Sequence, residues 1–313
     1  MDTYPVRLNR RLGLVRDPAG GWLLSEDQPV GPAALWDLAP VRVARGERCL
    51  VLGAGDEATL GGLAALADRA VPAVEAVWGP AAGGSAGGAG VGAGAGAAGS
   101  GGRLVLELPA TLEEFARLLD VPAENYRGIA AVTVAAGGAP VRTPADRIQV
   151  NPDAYRGLSE LGRRVVITHE ATHVATRADT KGWTPLWLSE GVADYTGYRG
   201  SGRTGRQIAP GLTREVVAGR LPGGLPTDAD FAAGAGGIAL AYELSWLLCD
   251  LLARTFGPDR LVGFYRAVAA AGNPGDGREA RDALVARLVK EWFGLDQPAF
   301  THLWTTEAGR LGE

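Results

Sequence analysis

Apolar and polar residues alternate along positions 4 to 25 and break at "DPAGG", so two short strands joined by a turn are expected there. A third strand follows at "ERCLVLG". After Asp56, placed to cap a helix, the spacing of apolar residues becomes helical through "EATLGGLAALADRAVPAVEAVW", with a kink expected at Pro72. The strand "RLVLELP" comes next, then a helix over "TLEEFARLL" opened by a capping box of Thr111 and Glu114. Two more strands are expected at "IAAVTVA" and "RIQVN". From Leu158 onward the pattern is almost wholly helical. One helix runs to Arg177, and a second starts with Thr184 and Pro185, read as N-cap and first helical residue, and continues through "LWLSEGVADYTGY". "GIALAYELSWLLCDLLARTF" is a third, stopped by Gly257 and Pro258, followed by "RLVGFYRAVAA" and "EARDALVARLVKEWF". The expected fold class is α+β, a small mixed β-sheet with helices followed by a mainly helical C-terminal half.

Domain organisation follows from the same pattern. Residues 1–45 have little helix signal and read as a β-rich appendage, and residues 46–313 as the main domain. Within the latter, residues 79–102 are low-complexity Gly/Ala that bury too little surface to offset their ordering entropy, so a flexible loop is expected. The 313 residues are 46% hydrophobic, enough for a full core. With 31 basic against 35 acidic residues and no Lys/Arg cluster, the chain lacks the positive field that grips phosphate backbones, so nucleic acid is not an expected partner. Cys49 and Cys249 stand far apart on a strand and a helix and are expected as small core residues, not a disulfide. No apolar run is long enough for a signal peptide or a membrane span. Strand-like sequence starts almost at Met1, as in an ectodomain cut from a longer extracellular or cell-surface protein, so localisation stays open.

Two of the three histidines fall in "RRVVITHEATHVATR". On a helix His169 and His173 share one face with Cβ atoms about 6 Å apart, within reach of one ion. Glu170 sits one residue round, placed to address a water on that ion without ligating it. This is H-E-x-x-H, the pattern of zinc hydrolases. Two histidines on a helix can also cap a core or bond to neighbours, and what separates the readings is a third ligand. "TPLWLSEGVADY" supplies one, Glu190, seventeen residues after His173 on a helix able to fold back against the first.

His169-Glu170-Ala171-Thr172-His173 followed by Trp187-Leu188-Ser189-Glu190-Gly191 resembles the gluzincin peptidases, specifically peptidase MA-like domains and the aminopeptidases that carry Trp-Leu-x-Glu-Gly. The resemblance covers residues 47 to 270 and is strong between 163 and 198. It implies a gluzincin-like fold and one Zn2+ held by His169, His173 and Glu190, with Glu170 as general base. Asp194, four residues after Glu190, matches the aspartate that in this family accepts a hydrogen bond from a zinc histidine. Its alternative is a solvated surface carboxylate. Tyr242, in "AYELSWLLCDLLARTFG", matches the tyrosine that donates to the oxyanion of the tetrahedral intermediate. On so apolar a helix it equally fits the core.

Departures narrow the resemblance. No Gly-x-Met-Glu-Asn motif precedes His169, and the chain has no room for the large N-terminal β-domain of the aminopeptidases. The compact peptidase MA-like subgroup is the better fit. The implied function is a zinc-dependent peptidase acting on a peptide or protein, with the substrate held extended along an edge strand from residues 129 to 150. The alternative is a non-catalytic, zinc-stabilised cell-envelope or binding module. His302, alone in "AFTHLW", is read as a packed helix residue and not as a ligand.

Overall fold

The computed structural model describes residues 8–79, 103–135, 146–232, 235–275 and 277–313. All of the Gly/Ala stretch but Gly79 lies outside them, as do residues 4–7 of the first expected strand. The chain divides into two compact units, Met1–Val71 with Ala97–Ala171, and Pro72–Gly96 with Thr172–Glu313.

The first unit opens with β1 (Arg10–Arg16) and β2 (Trp22–Pro29), an antiparallel ribbon whose register shifts between Gly13 and Leu14. After the short α1 (Leu35–Leu38) come β3 (Arg42–Arg45), β4 (Cys49–Gly53), the start of α2 (Glu57–Trp78), β5 (Leu104–Leu108) and α3 (Leu112–Leu119). Then follow β6 (Ala131–Ala135), β7 (Asp146–Val150), α4 (Pro152–Arg156) and α5 (Glu160–Thr176), the last running on into the second unit. Among the described residues five strands form one mixed sheet in the order β3-β4-β5-β7-β6, with β4, β5 and β7 parallel and both outer strands antiparallel to their neighbours. Among the described residues β6, within the segment 129–150, is therefore an edge.

Local chemistry explains these elements. The β3–β4 connection is held by Asp68 of α2, whose carboxylate accepts from the backbone N–H of Arg48 at 2.8 Å and of Glu47 at 2.9 Å. Burial alone would raise the Asp68 pKa, but these donors outweigh it and hold the carboxyl below its ordinary range. Nearby Cys49 is fully buried and its thiol is pushed up to about 12 by burial and by Asp68. Thr111 caps α3 by accepting from the N–H of Glu114 at 3.1 Å, while Glu114 reaches back to the N–H of Ala110 at 2.8 Å, one residue beyond the usual box. β3 and α4 were not foreseen in the sequence. β3 is four residues and mostly exposed, so it carries no clear alternation, and α4 is a single turn capped by Asn151.

The second unit holds α6 (Leu186–Tyr198), α7 (Gly205–Ile208), α8 (Pro210–Val217), α9 (Ile238–Phe256), α10 (Pro258–Ala270), α11 (Arg278–Phe293) and α12 (Gln297–Arg310). α6 is buried on most sides and meets α9 at close range. A Cβ built on Gly191 would collide with the Ser245 carbonyl and lie 2.7 Å from the Cys249 sulfur, so only glycine fits that contact. Glu243 of α9 caps α8, accepting from the backbone N–H of Gly211 and of Leu212. Gly257, at φ +95°, ends α9 as expected. Both cysteines are free and buried. Among the described residues no helix is long and apolar enough to cross a membrane.

Candidate metal centre

α5 begins where Ser159 accepts from the N–H of Gly162 at 3.1 Å. Arg163 then folds back, donating to the carbonyls of Tyr155 and Arg156 at the end of α4. From that start the helix runs unbroken to Thr176, so His169 and His173 stand one turn apart on it. Thr176 tightens the last turn by donating to the Thr172 carbonyl at 2.9 Å.

The connection to α6 is fastened to α10 at several points. The Thr180 and Tyr265 hydroxyls are 2.6 Å apart, the Trp183 indole donates to the Val268 carbonyl at 2.8 Å, and Arg266 pairs with Asp179 at 3.2 Å. Arg266 also donates to the Trp78 carbonyl, and the Trp78 ring meets Tyr265 edge-on. The buried Tyr265 hydroxyl has its pKa raised, chiefly by burial. α6 starts one residue later than the sequence suggested. Pro185 is the N-cap and Thr184 instead accepts from the N–H of Lys181, while the N–H of Leu186 is met by Asp228 at 3.1 Å. The cap is supplied from residue 228, far along the chain, and no local pattern announces it.

With α6 so placed, Glu190 Oε2 lies 3.3 Å from His173 Nε2. His169, His173 and Glu190 each offer a ligand atom, and the three atoms lie within 4.8 Å of one another. For a tetrahedral ion with bonds of about 2.0–2.1 Å, donors sit about 3.4 Å apart, close to the His173–Glu190 separation. As a direct charge-assisted hydrogen bond 3.3 Å is long, since such bonds run about 2.7–2.9 Å. The donor set therefore fits a divalent ion of the zinc type. His169 is buried, and His173 and Glu190 are half-buried, which leaves one side of the cluster reachable from solvent.

Glu170 is buried and its carboxylate is met by Thr133 of the edge strand β6. The Thr133 hydroxyl lies 2.6 Å from Glu170 Oε2 and 3.1 Å from the Glu170 carbonyl. Sequence reading missed Thr133, because the partners are far apart in the chain and a threonine in "AVTVA" is an ordinary strand residue. Asp194 is half-buried one turn beyond Glu190 on α6, and its charge adds to the burial that raises the pKa of the Tyr198 hydroxyl and the Cys249 thiol. Tyr242 is half-buried on α9 with its ring edge-on to Phe231 at 5.2 Å. His302 is exposed on α12, not packed, and is not one of the cluster's ligands.

No family model matches the chain, and no curated protein matches it. Among solved structures, a two-domain M1 zinc metallopeptidase mutant bound to L-arginine aligns with 98% of this chain and 60% of its own, at 15% identity and a TM-score of 0.41. An M1 zinc metallopeptidase mutant from Deinococcus radiodurans bound to a Tyr-Ser-Ala substrate aligns with 97% of this chain and 61% of its own, at 16% identity and a TM-score of 0.43. The chain thus spans less than two thirds of the length of these structures.

Proposed function

We propose that this chain is a zinc-dependent peptidase, with His169, His173 and Glu190 holding one zinc ion and Glu170 acting as general base. The observation that carries the reading is the His/His/Glu donor set within 4.8 Å, with a buried glutamate adjacent to it in sequence and held by a hydroxyl. Zinc, when bound, polarises a carbonyl and lowers the pKa of a water to about 7. Glu170 takes the proton of the attacking water and passes it to the leaving amine. Thr133 holds the Glu170 carboxylate in one orientation through this transfer. Tyr242 donates to the oxyanion as it forms, and Asp194 orients a ligand imidazole. β6, an edge of the sheet that also carries Thr133, aligns an extended peptide by main-chain hydrogen bonds.

The test is Glu170→Gln, assayed on casein and a peptide library together with metal content. The variant is expected to retain one zinc per chain and to lose hydrolysis by at least about 100-fold. Turnover equal to the parent would remove the reading. Zinc bound by the parent with no turnover on any substrate would transfer it to the non-catalytic, zinc-stabilised alternative.

A further inference from the structure

A cavity of about 790 Å3 opens in the second unit among the end of α6, the loop 199–205, α9 and α12. Pockets that enclose small organic ligands span about 300–1,000 Å3. Its inner surface is aromatic, with Tyr195 and Tyr198 from α6 and Trp246 from α9, the last two rings meeting edge-on at 6.3 Å. Five arginines line it against two carboxylates.

The two carboxylates are already engaged. Arg254 pairs with Asp250 and with Glu307 at 2.6 Å each, and Arg310 pairs with Glu307 at 2.9 Å. The other three arginines, Arg199, Arg203 and Arg206, come from the mostly exposed stretch "RGSGRTGR". That stretch turns through left-handed backbone at Gly200 (φ +69°) and Gly202 (φ +70°), which a Cβ would strain. The N–H of Ser201 donates to the Tyr198 carbonyl at 2.9 Å, and that of Arg203 to the Ser201 hydroxyl at 3.2 Å. The loop thus brings Arg203 and Arg206 to the cavity lining, while Arg199 is hydrogen-bonded to Tyr195, and an anion between like charges relieves their repulsion.

We propose that this cavity binds a small organic anion, an acidic group carried on an aromatic body. Arg203 and Arg206 grip the acidic group, as guanidinium forks do for phosphate and carboxylate alike. Trp246 and Tyr198 take the flat apolar part. None of the cavity's residues belongs to the metal cluster, and the proposal does not depend on hydrolysis.

The experiment is calorimetric titration of the full chain with phenyl phosphate, hippurate and inorganic phosphate. Saturable one-to-one binding of an aromatic anion is expected, at least about tenfold tighter than inorganic phosphate, and weakening in about 0.5 M salt. The better of phenyl phosphate and hippurate identifies the acidic group. The double variant Arg203→Ala/Arg206→Ala, altered only at exposed positions, is expected to keep the parent's melting temperature and bind at least about tenfold more weakly. The proposal is overturned by no saturable binding at millimolar concentration, by inorganic phosphate binding as tightly as the aromatic anions, or by equal affinity in the double variant.

Discussion

The Glu170 carboxylate is buried, and the Thr133 hydroxyl lies 2.6 Å from one of its oxygens. A hydrogen bond to a charged group contributes about 1.5–3 kcal/mol, so losing it lets the carboxylate swing away from one productive orientation. Thr133→Val keeps the shape and removes the donor. If Glu170 is the base, kcat is expected to fall about tenfold while KM stays within about twofold, because the bond acts on proton transfer and not on substrate binding. Thr133→Ser, which restores a hydroxyl, is expected to recover most of the rate. Steady-state kinetics on one peptide checks both, and a parental kcat in Thr133→Val removes Thr133 from the positioning role.

Gly191 shows how an element and a residue's chemistry depend on each other. It follows Glu190 and sits where α6 touches α9, with the Ser245 carbonyl and the Cys249 sulfur in the space a Cβ would take. The obstacle includes backbone, so the helices must separate. Gly191→Ala is expected to destabilise the chain by about 1–3 kcal/mol, seen as a lower urea midpoint, and to weaken zinc retention as Glu190 shifts. An unchanged midpoint would show that the contact has slack. The same pair of helices marks what the sequence made legible. The helical period of "LWLSEGVADYTGY" and "GIALAYELSWLLCDLLARTF" placed both, and the four-residue spacing placed His169 beside His173, because these signals are local. Thr133 against Glu170 and Asp228 capping α6 are pairings across long stretches of chain. They depend on topology, which periodicity does not encode. β3 and α4 escaped because elements this short and weakly patterned offer no period to read.

At the scale of the molecule, the three candidate ligands come together only in the folded chain, since Glu190 reaches His173 through the α10-fastened connection. An ion bound by the native state and not by the unfolded chain stabilises by mass action, about 2.7 kcal/mol at a hundred times the dissociation constant. For a chain of this size that corresponds to a rise of roughly 4 °C in melting temperature. Dialysis against a chelator is therefore expected to lower the melting temperature by about that much, and stoichiometric zinc to restore it. Glu170→Gln should keep the zinc-dependent shift, because Glu170 is proposed as the base and not as a ligand. Glu190→Gln and His173→Ala should lose most of it, because a donor at 3.3 Å from its neighbour has been removed or neutralised. Arg203→Ala/Arg206→Ala should leave it untouched, since those arginines line a different cavity. Differential scanning calorimetry with and without zinc separates these cases. A shift that persists in Glu190→Gln would place the ion elsewhere, and with it the chemistry that α5 and α6 are proposed to carry.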